Sequence, residues 1–231
     1  MDIVYICRQG KNEELRYSIR SVVKNLPSSR IWVVGYKPDW YIGDFISVPD
    51  TSSKFKNIHN LIKTIAYDDR ISEDFVFMND DFFFLEPMST VPVLHGGSLK
   101  DKIDRYRNLN PNSPYIHLLN RTYQVLITNG ILDPIDYDIH VPMPMNRTKL
   151  KETILIKHLP RSTYGNLASI GGNEITDVKD YSRRSAMAKG SYNYQENSLP
   201  FVSCEDDSFE TLLNSLLIDK FGEPSPYEHP Q

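Results

Sequence analysis

Only two cysteines, Cys7 and Cys204, occur in a chain of 231 residues. Two distant cysteines build neither a disulfide framework nor a cysteine-rich metal site. Basic residues are not in excess: 26 Lys and Arg stand against 30 Asp and Glu, a net charge of −4. No overall field therefore draws the chain to nucleic acid or anionic lipid. The local basic clusters are RTKLK at 147–151 and the pair Arg183-Arg184. No apolar run reaches the length of a membrane span, and MDIVYICRQGKNEEL at the start lacks the charged-then-apolar order of a secretory leader. A reducing, cytoplasmic setting is the expectation. GxGxxG, GxxxxGK(S/T), GxSxG and HExxH are also missing, which argues against Rossmann dehydrogenases, P-loop NTPases, α/β-hydrolases and zincins.

What is present reads as one globular unit over 1–231, long enough to bury a core without staples. DIVYICR (2–8) is a β-branched apolar run, and Cys7 within it reads as a buried thiol. NEELRYSIRSVVKNLP (12–27) carries Leu15, Ile19, Val22, Val23 and Leu26 at helical spacing, with Asn12 as its cap and Pro27 as its stop. Strands are expected over 30–38, 44–50 and 75–79, and a helix over 54–69. Alternating strand and helix predicts an α/β fold, with a mixed, mostly parallel sheet flanked by helices. Farther on, 86–115 reads as irregular, 114–130 as helical, 136–147 as extended and 147–159 as helical. The 160–200 stretch reads as loop-rich, and FVSC (201–204) as a strand leading into an acidic-capped helix over 205–221. The first 85 residues would form a nucleotide-binding half and 86–231 the acceptor side.

The residues that could carry chemistry cluster at predicted strand ends. FVFMNDDFFF (75–84) sets Asn79, Asp80 and Asp81 after a buried strand, at the sheet edge where open α/β folds bind ligands. Adjacent carboxylates there suit a hard divalent cation, Mg²⁺ or Mn²⁺, whose shell a bound diphosphate completes. The plainer reading is an Asx turn. His140 lies between an apolar segment and Pro142 and Pro144, so it is either a structural histidine or a rigidly held general base. Arg8, Arg16, Arg20 and Arg121 are candidates for phosphate contacts, Arg8 best placed just past the first strand. Arg16 and Arg20 share a helix face, for which solvation is the ordinary reading. Glu205, Asp206 and Asp207 cap the last helix, and Asp206 is a further candidate metal ligand.

Several segments together resemble the Stealth family, which comprises capsular polysaccharide phosphotransferases and the lysosomal N-acetylglucosamine-1-phosphotransferase. The segments are DIVYI, NEELRYSIRSVVKNLPSSRIWVVGYKPDW, KFKNIHNLI with ISEDFVFMNDDFFF, HVPMPMNRTKLKETI, and FVSCEDDSFETLLNSLLIDKFGEPSPYE, in the family's order. The resemblance implies a glycosyltransferase-A-like, Rossmann-like fold, a nucleotide-sugar donor and a divalent metal on Asp80 and Asp81, with Asp81 nearest the metal. It also implies a catalytic His at His140, an Arg near Arg121 and a carboxylate of the last block near Asp206. Four departures stand out. Arg8-Gln9-Gly10 replaces a VDG-like turn, Ile62 stands where the family has Glu, RSTYGNLASIGG replaces an Arg-bearing segment, and the chain is short. They favour transfer of the sugar itself, to a polysaccharide or other hydroxyl-bearing acceptor, over transfer of sugar-1-phosphate. Two further readings are a nucleotide- or glycan-binding module without chemistry and a nucleic-acid-modifying transferase. The acidic balance disfavours the latter.

Overall fold

The computed structural model describes residues 1–26, 30–51, 53–155, 157–180 and 199–230. The central sheet has the order β3-β2-β1-β4-β7. Its strands are β1 (Asp2–Cys7), β2 (Ile31–Gly35), β3 (Asp44–Ser47), β4 (Asp74–Asn79) and β7 (Met143–Asn146). The first four run parallel, and β7 is antiparallel to β4. Alternation along β1 assigns the two faces. Ile3, Tyr5 and Cys7 pack with Leu15, Ile19, Val22 and Leu26 from α1 (Glu13–Asn25) and its end. Val4 faces the other way and packs with Leu61, Ile62, Ile65 and Ala66 of α2 (Lys54–Tyr67). A sheet covered on both faces explains why these strands are nearly all apolar. Ile62 is buried in that second layer.

A second sheet has the order β5-β10-β9, from β5 (Phe82–Phe84), β10 (Phe201–Cys204) and β9 (Lys179–Asp180). A two-stranded ladder pairs β6 (Leu94–His95) with β8 (Asn173–Glu174). The run 75–84 is therefore two strands of two sheets, and Asp80-Asp81 is the crossing between them.

Several expectations are corrected. The stretch 86–115 contains α3 (Leu99–Leu109), capped by Ser98, whose hydroxyl accepts from the Asp101 N–H. Its buried face is only Leu99, Lys102 and Ile103, too sparse for an apolar period to show. After α4 (Pro114–Thr128) and a short α5 (Arg147–Thr153), α6 (Pro160–Leu167) lies inside the stretch read as loop. Gly165 hides that helix, and it is glycine because the Tyr137 ring lies on it: a Cβ there would sit 2.3 Å from Tyr137 Cδ2. Asn12 does not cap α1. It sits in the left-handed region (φ 55°), and its side chain donates to Gly10 O. The last helix is α7 (Asp206–Ser208), a π segment (Phe209–Leu213) and α8 (Asn214–Phe221), so it is not one regular helix.

Gly35 ends β2 at φ 117°, and a Cβ would approach Cys7 O to 2.3 Å and Leu61 Cδ2 to 2.9 Å. Gly35→Ala combines backbone strain with overpacking, so it should cost about 3 kcal/mol in urea unfolding. An unchanged unfolding midpoint would contradict this close packing of β1 on β2.

Candidate active site

The parallel pairing of β1 with β4 aligns Ile6 with Asn79, so Arg8 and Asp80 emerge at one sheet edge. Asn79, Asp80 and Asp81 are all half-buried there. Asp81 then enters the second sheet. Ser203 of β10 pairs with Phe82 of β5 on one side and with Lys179 of β9 on the other. That register delivers both side chains to Asp81: the Lys179 ammonium pairs with its Oδ2, and the Ser203 hydroxyl donates to the same oxygen at 3.2 Å. The other oxygen, Asp81 Oδ1, is buried with no hydrogen-bond partner among the described residues. Burial, and then the Asp81 charge, hold the Asp80 carboxyl well above the usual carboxylate range; Arg8 opposes this and Glu14 adds to it. Glu14, in the first turn of α1, is itself raised by burial, with the nearby charges of Asp206 and Asp81 adding to this. The edge thus gathers negative charge that its own cations only partly offset.

Two proline-flanked residues away from β7, His140 is held from three sides. Its Nδ1 lies 2.7 Å from Asp177 Oδ2, and its backbone N–H donates to Asp177 Oδ1 at 2.9 Å. Its ring meets Phe82 edge-on at 6.5 Å between centroids, which sets it beside the residue following Asp81. Burial works to raise the Asp177 carboxyl, but the hydrogen bond, charge and N–H of His140 outweigh it and hold the group far down. An anionic Asp177 fixes the proton of a neutral imidazole on Nδ1 and leaves Nε2 as the acceptor. The 136–141 segment carrying His140 is pinned by α3. Lys102 pairs with Asp136 at 2.8 Å and donates to Asp138 O at 2.7 Å, while the Tyr115 hydroxyl donates to Asp138 at 2.9 Å. Beneath it, the buried Arg161 of α6 donates to Val141 O at 2.6 Å and lies 5.6 Å from the Phe82 ring centre. Burial pulls its pKa down, with Asp138, Asp177, Asp136 and Asp81 acting the other way.

The other expected site residues are distributed differently. Arg8 does reach the edge, where it meets Asp206 at 3.3 Å, both largely exposed. Asp206 is thereby turned to an arginine. Among the described residues no three His, Cys, Asp or Glu side chains are grouped to hold a metal ion. Arg16 lies 4.9 Å over the Trp40 ring and pairs with Glu13 at 3.3 Å and Glu228 at 3.7 Å. Arg20 is buried on Glu228, contrary to the solvated reading. Arg121 is exposed on α4, whose buried face is Ile116, Leu118, Leu119, Thr122 and Leu126. In the basic cluster at 147–151, Arg147 and Lys151 both turn to Asp69, which leaves little free charge for a nucleic acid. Arg183 and Arg184 fall outside the described residues. Sequence reasoning missed Asp177, Lys179, Ser203, Arg161 and Glu14. Of these, Glu14, in the helix read over 12–27, and Ser203, in the FVSC strand, lay in segments read as regular structure.

No protein-family model matches the chain, and no curated protein does. Among solved structures, it is similar to the galactosyltransferase LgtC in complex with donor and acceptor sugar analogues. That likeness has a TM-score of 0.53 at 12% identity and covers 100% of this chain and 98% of that one. An active-site mutant of LgtC matches with a TM-score of 0.45 at 11% identity, covering 99% of this chain and 85% of that one. Mouse xyloside xylosyltransferase 1 gives 0.33 at 6% identity, covering 98% and 95%. The first of these likenesses, together with the sheet order, defines the class: this chain has a glycosyltransferase-A-like fold.

Proposed function

We propose that the protein is a metal-dependent glycosyltransferase that moves a sugar from a nucleotide-sugar donor to an acceptor hydroxyl. The observation that carries this reading is one sheet edge holding two partly compensated carboxylates and, against the next residue, an imidazole oriented by a carboxylate. The structural neighbour LgtC, solved with donor and acceptor sugar analogues, supports the donor and acceptor classes. The donor set fits Mg²⁺ or Mn²⁺: Asp81 Oδ1 is a carboxylate oxygen without a hydrogen-bond partner among the described residues, and Asp80 is a second carboxylate beside it, pushed up by burial and by the Asp81 charge. Asp80 and Asp81 would hold the ion, which when bound supplies positive charge to the donor diphosphate. Arg8, already at that edge, contributes phosphate contacts as its exposed pair with Asp206 opens. His140 accepts the acceptor's hydroxyl proton on Nε2, and Asp177 stabilises the imidazolium that results. Arg161 and Lys102 hold the segment that aims His140. Arg16 and Arg121 have no part in this reading, since one is engaged with Trp40 and Glu228 and the other points to solvent.

His140→Asn removes the base and should lower kcat by about 10²–10⁴ with little change in KM for the donor. Asp177→Asn leaves the ring but loses its orienting charge, so a smaller loss is expected, together with a shift of the pH–rate profile. Equal kcat in the His140 variant and the parent would remove His140 from the chemistry. Sugar-1-phosphate transfer is the second reading, favoured by the order of Stealth-like segments. It differs in releasing a nucleoside monophosphate instead of a diphosphate. The binding-module reading loses its main support, because Ile62 is a core residue of α2 and vacates no polar position at this edge.

A further inference from the structure

Lys179 occupies an unusual place. It is 13% exposed and its ammonium is spent on Asp81, itself 17% exposed, at the spot where the proposed function needs a divalent cation. Its backbone is fixed by pairing with Ser203 in the second sheet. A lysine carries a compact charge on a rotatable four-carbon stem, so its ammonium can exchange one anion for another. An ammonium has no lone pair to offer a divalent ion on Asp81, and the two positive charges repel at contact distance.

We propose that Lys179 is a displaceable counter-ion: it neutralises Asp81 when no metal is bound, and it moves to the donor diphosphate when the metal takes Asp81. This rests on the metal-dependent reading above. Three observations carry it. Lys179 and Ser203 share Asp81 Oδ2 and leave Oδ1 without a partner among the described residues, so an ion entering on Oδ1 meets the ammonium on the neighbouring oxygen of the same carboxylate and repels it. Among the described residues no ion pair reaches the adjacent Asp80, so the Lys179 ammonium is placed on one of the two acids alone. Among the described residues Arg8 also reaches this edge, but it is tied to Asp206 and exposed, whereas Lys179 enters the half-buried site. Metal and lysine therefore exclude each other at Asp81, and metal binding frees a positive charge for the phosphates.

The test uses Mn²⁺ titrated into the full chain by electron paramagnetic resonance, and inorganic pyrophosphate titrated by calorimetry at saturating Mn²⁺. Lys179→Met should bind Mn²⁺ at least tenfold more tightly than the parent and pyrophosphate at least fivefold more weakly. A merely structural lysine would move both affinities in the same direction or neither, and that result overturns the proposal. Should the Met variant fail to fold, Lys179→Gln, which keeps a hydrogen-bond donor without the charge, carries the same two expectations. If the parent binds Mn²⁺ and the variants bind it no more tightly, only this proposal falls. If neither parent nor variants bind Mn²⁺, the metal-dependent reading falls with it.

Discussion

Asp81→Asn should reduce donor turnover by about 10³-fold or more while circular dichroism and the thermal midpoint stay close to the parent's. The amide keeps the size of the carboxylate, and its oxygen can still accept from the Ser203 hydroxyl, which now donates at 3.2 Å. What it loses is charge. Asp81 is one of two adjacent acids at the crossing of two sheets, and its Oδ1 has no hydrogen-bond partner among the described residues. An amide ligates a divalent ion far less well than a carboxylate, so the donor diphosphate would lose its counter-charge where the leaving group develops negative charge. The structural cost is limited because the Lys179 ammonium, freed from its pair, sits on a stem long enough to reach water. Initial rates of nucleotide release at saturating donor are the measurement. Full turnover by the Asp81 variant would mean that the two acids only end a strand.

The largest loss of stability should come from Arg20. Its Nε and Nη2 grip Glu228 at 2.7 and 2.6 Å, and its Nη1 reaches the carbonyls of Phe221 and Gly222 at 3.1 and 2.9 Å. Glu228 is also held by the Ser225 N–H and hydroxyl at 2.8 and 3.0 Å. Both side chains are almost fully buried, 7% and 5% exposed. The pair joins α1 to the C-terminal segment, whose backbone is further tied to 40–42 through Ile42 N–H to Tyr227 O and His229 N–H to Trp40 O. Removing one partner strands a buried charge, which costs about 3–5 kcal/mol. For a chain of this size that is a fall in Tm of roughly 6–20 °C. Arg20→Met should therefore melt far earlier than the parent, and Arg20→Met combined with Glu228→Gln should recover part of the loss. A double variant that loses the sum of the two single effects would show that the pair is not coupled.

The parallel half of the fold was legible because burial on two faces leaves a plain trace: β1, β2 and β4 are short apolar runs, and α1 and α2 show clean helical periods. The edge carrying Asp80 and Asp81 followed from that pattern. The second half was not legible in the same way. In α3, Lys102 takes a buried position through its ion pair with Asp136, so charge stands where a periodic pattern needs an apolar residue. In α6, Gly165 and three small polar residues answer to Tyr137 and to hydrogen bonds instead of to a greasy face. Asp177 and Lys179 reach the site only through long-range pairing, His140 lying 37 positions and Asp81 98 positions from their partners. Nothing local to IGGNEITDVKD marks them. Arg20 was misread for the same reason: its partner lies 208 positions away.

The most direct test of the central claim is release of nucleotide from a panel of nucleotide sugars, with Mn²⁺ or with chelator, and with product identity determined. The account predicts that at least one donor yields nucleoside diphosphate with Mn²⁺ and that chelator abolishes it. Nucleoside monophosphate would replace glycosyl transfer by sugar-1-phosphate transfer. Release that is indifferent to chelator, or no release from any donor, would contradict a metal-dependent transferase at Asp80 and Asp81.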